Sequence, residues 1–181
     1  NVAVGLLDVF PSGTLGAMAA RSDDLMPAGR FVFDTGALSA AVRFADRYEP
    51  QREAVREALN RPECDFGIAF RAGCLAELKF LDVVRVAVRL EAFRAAEALH
   101  QDGRIDEAID ALDAMLRLCA WLAAEPHPVA RLEAAALRTE AFRAARAIAL
   151  HPSVRRPHLA ALYTMVEAQL AAWPGDAGAW I

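Results

Sequence analysis

From Leu81 onward, apolar residues return every three or four positions, a rhythm that predicts helices through the rest of the chain. Leu81, Val84, Val88, Ala92, Ala95 and Leu99 form one stripe, and Val83, Val86, Leu90 and Phe93 form a second on the neighbouring face. A helix apolar on two faces is contacted from both sides, so this one belongs at the centre of the fold. Gly103 closes it as a C′ residue. In the next helix Ile105, Ala108, Ile109, Leu112, Met115, Leu116, Cys119 and Leu122 turn inward. Asp106, Glu107, Asp110, Asp113 and Arg117 turn outward, with acids in the first turns, where they complement the macrodipole. Pro126-His127-Pro128 breaks the chain before a third long helix over 129–150, which His151-Pro152 ends. Ser153 or Pro157 opens the last helix, with Leu159, Leu162, Met165, Val166, Leu170 and Trp173 inward and Pro174-Gly175 at its end.

The first third of the chain is less regular. Pro11, Gly13, Gly16, Pro27 and Gly29 punctuate residues 1–33, leaving room for one short helix around 14–20. Asp34 or Thr35 is the expected N-cap of a helix carrying Leu38, Ala41, Val42 and Ala45 inward. Pro50 restarts the chain, and 51–60 reads as a short helix burying Ala54, Val55, Ala58 and Leu59. Residues 61–70 lose the period and read as an extended, partly buried crossover.

A repeat runs through the helical region. Residues 89–99 align with 138–148 at eight identities in eleven positions, Phe93 and Arg94 matching Phe142 and Arg143. One residue out of that register, Ala111, Leu112 and Met115 match Ala161, Leu162 and Met165. Each copy is a helix, a turn and a second helix. The expectation is an all-α bundle of two repeated antiparallel hairpins, about 74–124 and 127–173, plus shorter N-terminal helices. The chain then divides into an irregular N-terminal segment, 1–33, and a single helical domain, 34–181.

Composition agrees with helices. Hydrophobic residues make up 56% of the 181 positions, much of it alanine, and aromatics only 8%, so the seams are Leu/Ala/Val surfaces. A formal charge of −4 argues against nucleic acid as partner. No run of 18 apolar residues occurs, so this stretch is expected to make no membrane contact of its own. Asn1 stands where a methionine would begin a protein, and the expectation is a piece of a longer precursor. Cys64, Cys74 and Cys119 match no zinc spacing. Cys119 reads as a buried apolar residue, while Cys64 and Cys74 flank a segment that a bridge could close in an oxidising compartment.

Two resemblances bear on these elements. Residues 95–118, with the turn Asp102-Gly-Arg-Ile-Asp-Glu-Ala-Ile109, resemble a tetratricopeptide helix-turn-helix. The second copy has His151-Pro-Ser153 in place of that turn, and the period near 50 exceeds the family's 34, so an array of that family is not expected. Residues 50–126 resemble an uncharacterised group of bacterial proteins with an N-terminal membrane anchor and an exported helical domain. The resemblance rests on Glu57-Ala-Leu59, Arg61-Pro62, Cys64 and Asp65-Phe66 ahead of a long hairpin. It implies a helical fold and a periplasmic or membrane-anchored location through a segment outside this chain, and no activity.

Candidate chemistry is sparse. His100, His127, His151 and His158 form no metal-binding pair, no nucleophile elbow or phosphate loop occurs, and no cofactor is expected. Asp106, Asp110 and Asp113 make a carboxylate stripe on a solvated face. Arg138, Arg143, Arg146, Arg155 and Arg156, with His151 and His158, give the last two helices a basic face, which is expected to pair with the acidic second helix or to receive an acidic partner. The leading expectation is a non-enzymatic interaction or scaffold domain with a protein partner or self-association. It would dock through a groove beside 81–99 or the arginine face of the third helix, with Arg94, Arg143 and Arg146 as contacts. The alternative is a small-ligand or enzymatic domain whose site joins Cys64, Asp65 or Arg71 to the long helices.

Overall fold

Asp34 caps the first strongly amphipathic helix as its position requires, its Oδ1 accepting the Ala37 N–H at 2.7 Å. The computed structural model describes residues 9–10, 13–60, 78–101 and 103–172. Among them run seven helices and no strand: α1 Leu15–Leu25, α2 Thr35–Arg47, α3 Glu49–Leu59, α4 Lys79–His100, α5 Ile105–Ala124, α6 Pro128–Ala149 and α7 Arg156–Ala171. None of these is long and apolar enough to cross a membrane. The crossover at 61–70, Cys64, Cys74 and Trp173 lie outside the described residues.

The two-striped helix is central. α4 packs against α5 and α6 on one side and against α1, α2 and α3 on the other. Val84, Val86, Val88, Leu90, Ala92 and Phe93 are sealed from solvent. α5 buries Leu112, Met115, Leu116, Cys119 and Leu122 against both α4 and α6, so the expected inward set of the first hairpin holds. Residues 15–33 join the same core: Leu15, Met18, Ala19, Leu25, Phe31 and Phe33 are buried, and α1 is longer than the 14–20 pattern suggested. Phe33 and Phe44 meet Phe93 edge to face at 6.2 and 6.0 Å, fixing the N-terminal layer on α4.

Two expectations need correction at the C-terminal end. Arg155, rather than Ser153 or Pro157, occupies the N-cap of α7, and its N–H donates to His158 Nδ1 at 3.1 Å. Pro157 instead sits in the first helical turn, where its missing N–H costs nothing. Leu159 and Leu170, expected inward, are exposed, and Leu162 is the one fully buried residue of the helix. The cause is position. α7 packs on α5 and α6 at the end of the stack, so only its inward edge meets another helix.

Candidate functional site

The arginines that the sequence scatters over α3 and α4 bind carboxylates of other helices. Glu91 is 1% exposed on α4, and Arg56 reaches it through Nε and Nη2 at 2.8 and 2.7 Å, with Arg52 at 3.2 Å. A buried carboxylate demands this pairing, because leaving it charged and alone in a low-dielectric core is costly. Arg52 also grips Glu49, at 2.9 Å from Nε to Oε2. That hydrogen bond, opposed by burial and aided by Arg94, holds the Glu49 carboxyl down to about 2. Sequence reasoning passed over Glu91. Its signal was an acid inside a helix apolar on two faces, which calls for a cation from a neighbouring element.

Arg94, a predicted contact, sits in this network. It meets Asp46 at 2.9 Å, Glu49 at 2.8 Å and Glu97 at 2.7 Å, bridging α2, α3 and its own helix. With Arg52, Arg56, Arg104, Glu107 and Asp110 it borders an open cleft of about 380 Å³, in which the two signs of charge face each other. Among the described residues the groove expected along 81–99 is otherwise filled by α1, α2 and α3, and an open cleft remains at the C-terminal end of α4, where Ala96, Leu99 and His100 meet Phe31, Val32, Phe33 and His151.

Arg143 and Arg146 stand elsewhere and in a different state. Both are exposed on the outer face of α6. With Arg30, Phe31, Val32, Ala147 and Leu150 they line a cleft of about 270 Å³ between the 29–33 segment and the end of α6. Among the described residues no carboxylate lies within ion-pair distance of Arg30, Arg143 or Arg146. Of the basic set expected to face α5, His158 reaches it, its Nε2 lying 3.4 Å from Asp106 Oδ1. Val32 and Leu150 beside the arginines are 67% and 72% exposed. Arg30 could not have been assigned to this cleft from sequence, since it lies more than a hundred residues away from Arg143 and in a segment without helical period.

The repeat gives these arginines a reference. Arg143 and Arg146 occupy the positions that Arg94 and Glu97 occupy in the first copy. In that copy the arginine is neutralised from within its helix by Glu97 and from outside by Asp46 and Glu49. In the second copy the internal acid is itself an arginine, and no helix of the described chain covers the face.

Other candidates lack convergence. Cys119 is sealed between the helices, and burial pushes its thiol up to about 12, so it stays protonated and inert. Among the described residues no three His, Cys, Asp or Glu side chains gather as a metal would require. Cys64, Asp65 and Arg71 lie outside the described residues. Comparison with protein-family models, with curated proteins and with solved structures finds no match to the chain.

Proposed function

We propose that this chain is a non-enzymatic helical interaction domain that presents the outer face of α6 to a protein partner. The observation that carries the reading is the cleft at 29–33 and 143–150, where Arg30, Arg143 and Arg146 stand beside exposed Val32 and Leu150. Guanidinium groups beside exposed apolar side chains make a surface able to dock a partner. They are also the composition of interface anchors, where arginine is enriched. The charged groups of the Glu91 and Glu49 clusters are occupied with one another, so their chemistry is spent on holding helices together.

Site-directed photo-cross-linking tests this. A photoreactive residue is placed at Leu150 and, as a control, at Glu53 on the exposed side of α3. Cross-links to one protein species that form at position 150, fail at position 53 and disappear in Arg143→Glu/Arg146→Glu are the expected result. Equal labelling at both positions, or none at 150, would remove the reading.

A further inference from the structure

We infer that the partner of the α6 face is an acidic amphipathic helix, one that sets two carboxylates on Arg143 and Arg146 and an apolar side chain between Val32 and Leu150. The inference rests on the interaction reading above and names the chemistry of the partner.

The molecule contains its own precedent. In the first copy of the repeat, the face carrying Arg94 is covered by helical segments α2 and α3, which bring Asp46 and Glu49 to the guanidinium at 2.9 and 2.8 Å. The same covering layer lays Phe44 against Phe93, with ring centroids 6.0 Å apart. An arginine on the helix and a pair of acids with an adjacent apolar anchor on the cover are therefore how this repeat unit completes itself. The second copy keeps the arginine at 143 and replaces the internal acid with Arg146, and no described helix supplies the cover. That substitution doubles the cation and removes the counter-charge, so both carboxylates must come from the covering element.

Three further considerations favour a peptide helix over simpler anions. A free phosphate would satisfy the guanidinium forks and leave Val32 and Leu150 wet. The chain as a whole carries −4, so it does not draw acidic molecules in general, and recognition must come from local placement. Arg146 does lie in the last turn of α6, where it complements the helix dipole. That effect acts on a partial charge and leaves Arg143 and Arg30 uncompensated.

The test is fluorescence anisotropy on the whole chain, with labelled helical peptides of about fifteen residues carrying leucines at i, i+4 and glutamates at i, i+3 on the adjoining face. One control peptide has Glu replaced by Gln, another has Leu replaced by Ala, and phosphatidylglycerol vesicles form a separate arm. The expected result is saturable binding of the Leu/Glu peptide, weakened about tenfold or more by Arg143→Gln/Arg146→Gln and by either control substitution, and weakened by salt. Both arginines are exposed, so an unchanged circular dichroism spectrum certifies the variant's fold. Equal binding of the Glu and Gln peptides, indifference to the arginine substitutions, or no peptide binding overturns the inference. So does vesicle binding that depends on Arg143 and Arg146 in place of peptide binding, which would assign the face to an anionic membrane surface. A partner cross-linked through Leu150 together with any of these outcomes leaves the interaction reading standing and removes only the acidic helix. Absence of that cross-link removes both.

Discussion

Arg89 of the first repeat copy donates through Nη2 to Glu140 Oε1 of the second, at 3.2 Å. These are the first residue of one aligned segment and the third of the other, so the repeat is tied to itself across the α4–α6 contact. Arg89 also pairs with Asp23 and donates to Ser22 Oγ at 3.3 Å, which brings α1 into the same cluster. Its Nε and Glu140 Oε2 are buried without hydrogen-bond partners among the described residues. The cluster is therefore costly to build and costlier to break on one side. Arg89→Ala should lower unfolding stability by roughly 3 kcal/mol in urea titration, because Glu140 is left buried without its cation. Arg89→Met/Glu140→Leu should recover more than half of that loss. A double variant as damaged as the single one would show that the pair's charges are not the source of the cost.

Gly103 has φ of +64°, and a Cβ added there would stand 2.6 Å from Ser153 Oγ and 2.9 Å from His151 Cε1. The turn of the first hairpin thus presses on the turn between α6 and α7. Gly103→Ala meets both penalties, a left-handed backbone and a collision, and should cost roughly 2 kcal/mol. Adding Ser153→Gly should restore only the share owed to collision with Ser153, leaving the contact with His151 and about 1 kcal/mol of backbone strain. Thermal unfolding of the two variants separates the shares.

The helices were legible because each buries a continuous seam, and a seam leaves a period of three and four in the sequence. Asp34 was legible for a local reason, since the N–H it satisfies lies three residues on, whereas Gly103, expected at C′ of α4, stands one residue later because Gln101 is the C-cap. The face of α7 was not. Leu159 and Leu170 keep the same spacing as Leu162, and periodicity records which residues share a side without recording whether anything lies against it. The candidate site was half legible. Arg143 and Arg146 stood out as a basic face, but Arg94 itself matches Arg143 in the alignment, and beyond Glu97 against Arg146 the acids arriving from α2 and α3 distinguish them. Long-range pairing of that kind leaves no mark along the chain.

Acid should loosen the N-terminal layer first. The Glu49 carboxyl is held at about 2 in the folded protein against an ordinary 4.5, with its hydrogen bond to Arg52 as the leading cause. Its folded pKa is depressed, so its contribution is complete above about 4.5 and is lost as pH falls through about 2. After screening by solvent that contribution is roughly 1–2 kcal/mol. Glu49→Gln should destabilise the chain by this amount at pH near 7 and make no difference near pH 2. Urea midpoints of both proteins across that window should converge as acid is added. A constant gap would show that Glu49 acts through packing alone.

Besides the Glu49–Arg94 pair, the anchorage of α3 rests on one buried carboxylate. α3 buries only Val55 and Leu59 fully, and its polar side is pinned by Arg52 and Arg56 to Glu91. Removing Glu91 leaves the two arginines able to turn to water, since Arg56 is already 36% exposed, so the damage should be local. Glu91→Gln keeps the shape but loses the charge, and should reduce the free energy of opening α3 by roughly 2 kcal/mol. Hydrogen exchange should then quicken in residues 49–59 while α4, α5 and α6 keep their protection, because their leucine seams do not involve Glu91. Faster exchange spread evenly over α4 and α5 would mean instead that the buried acid supports the whole core.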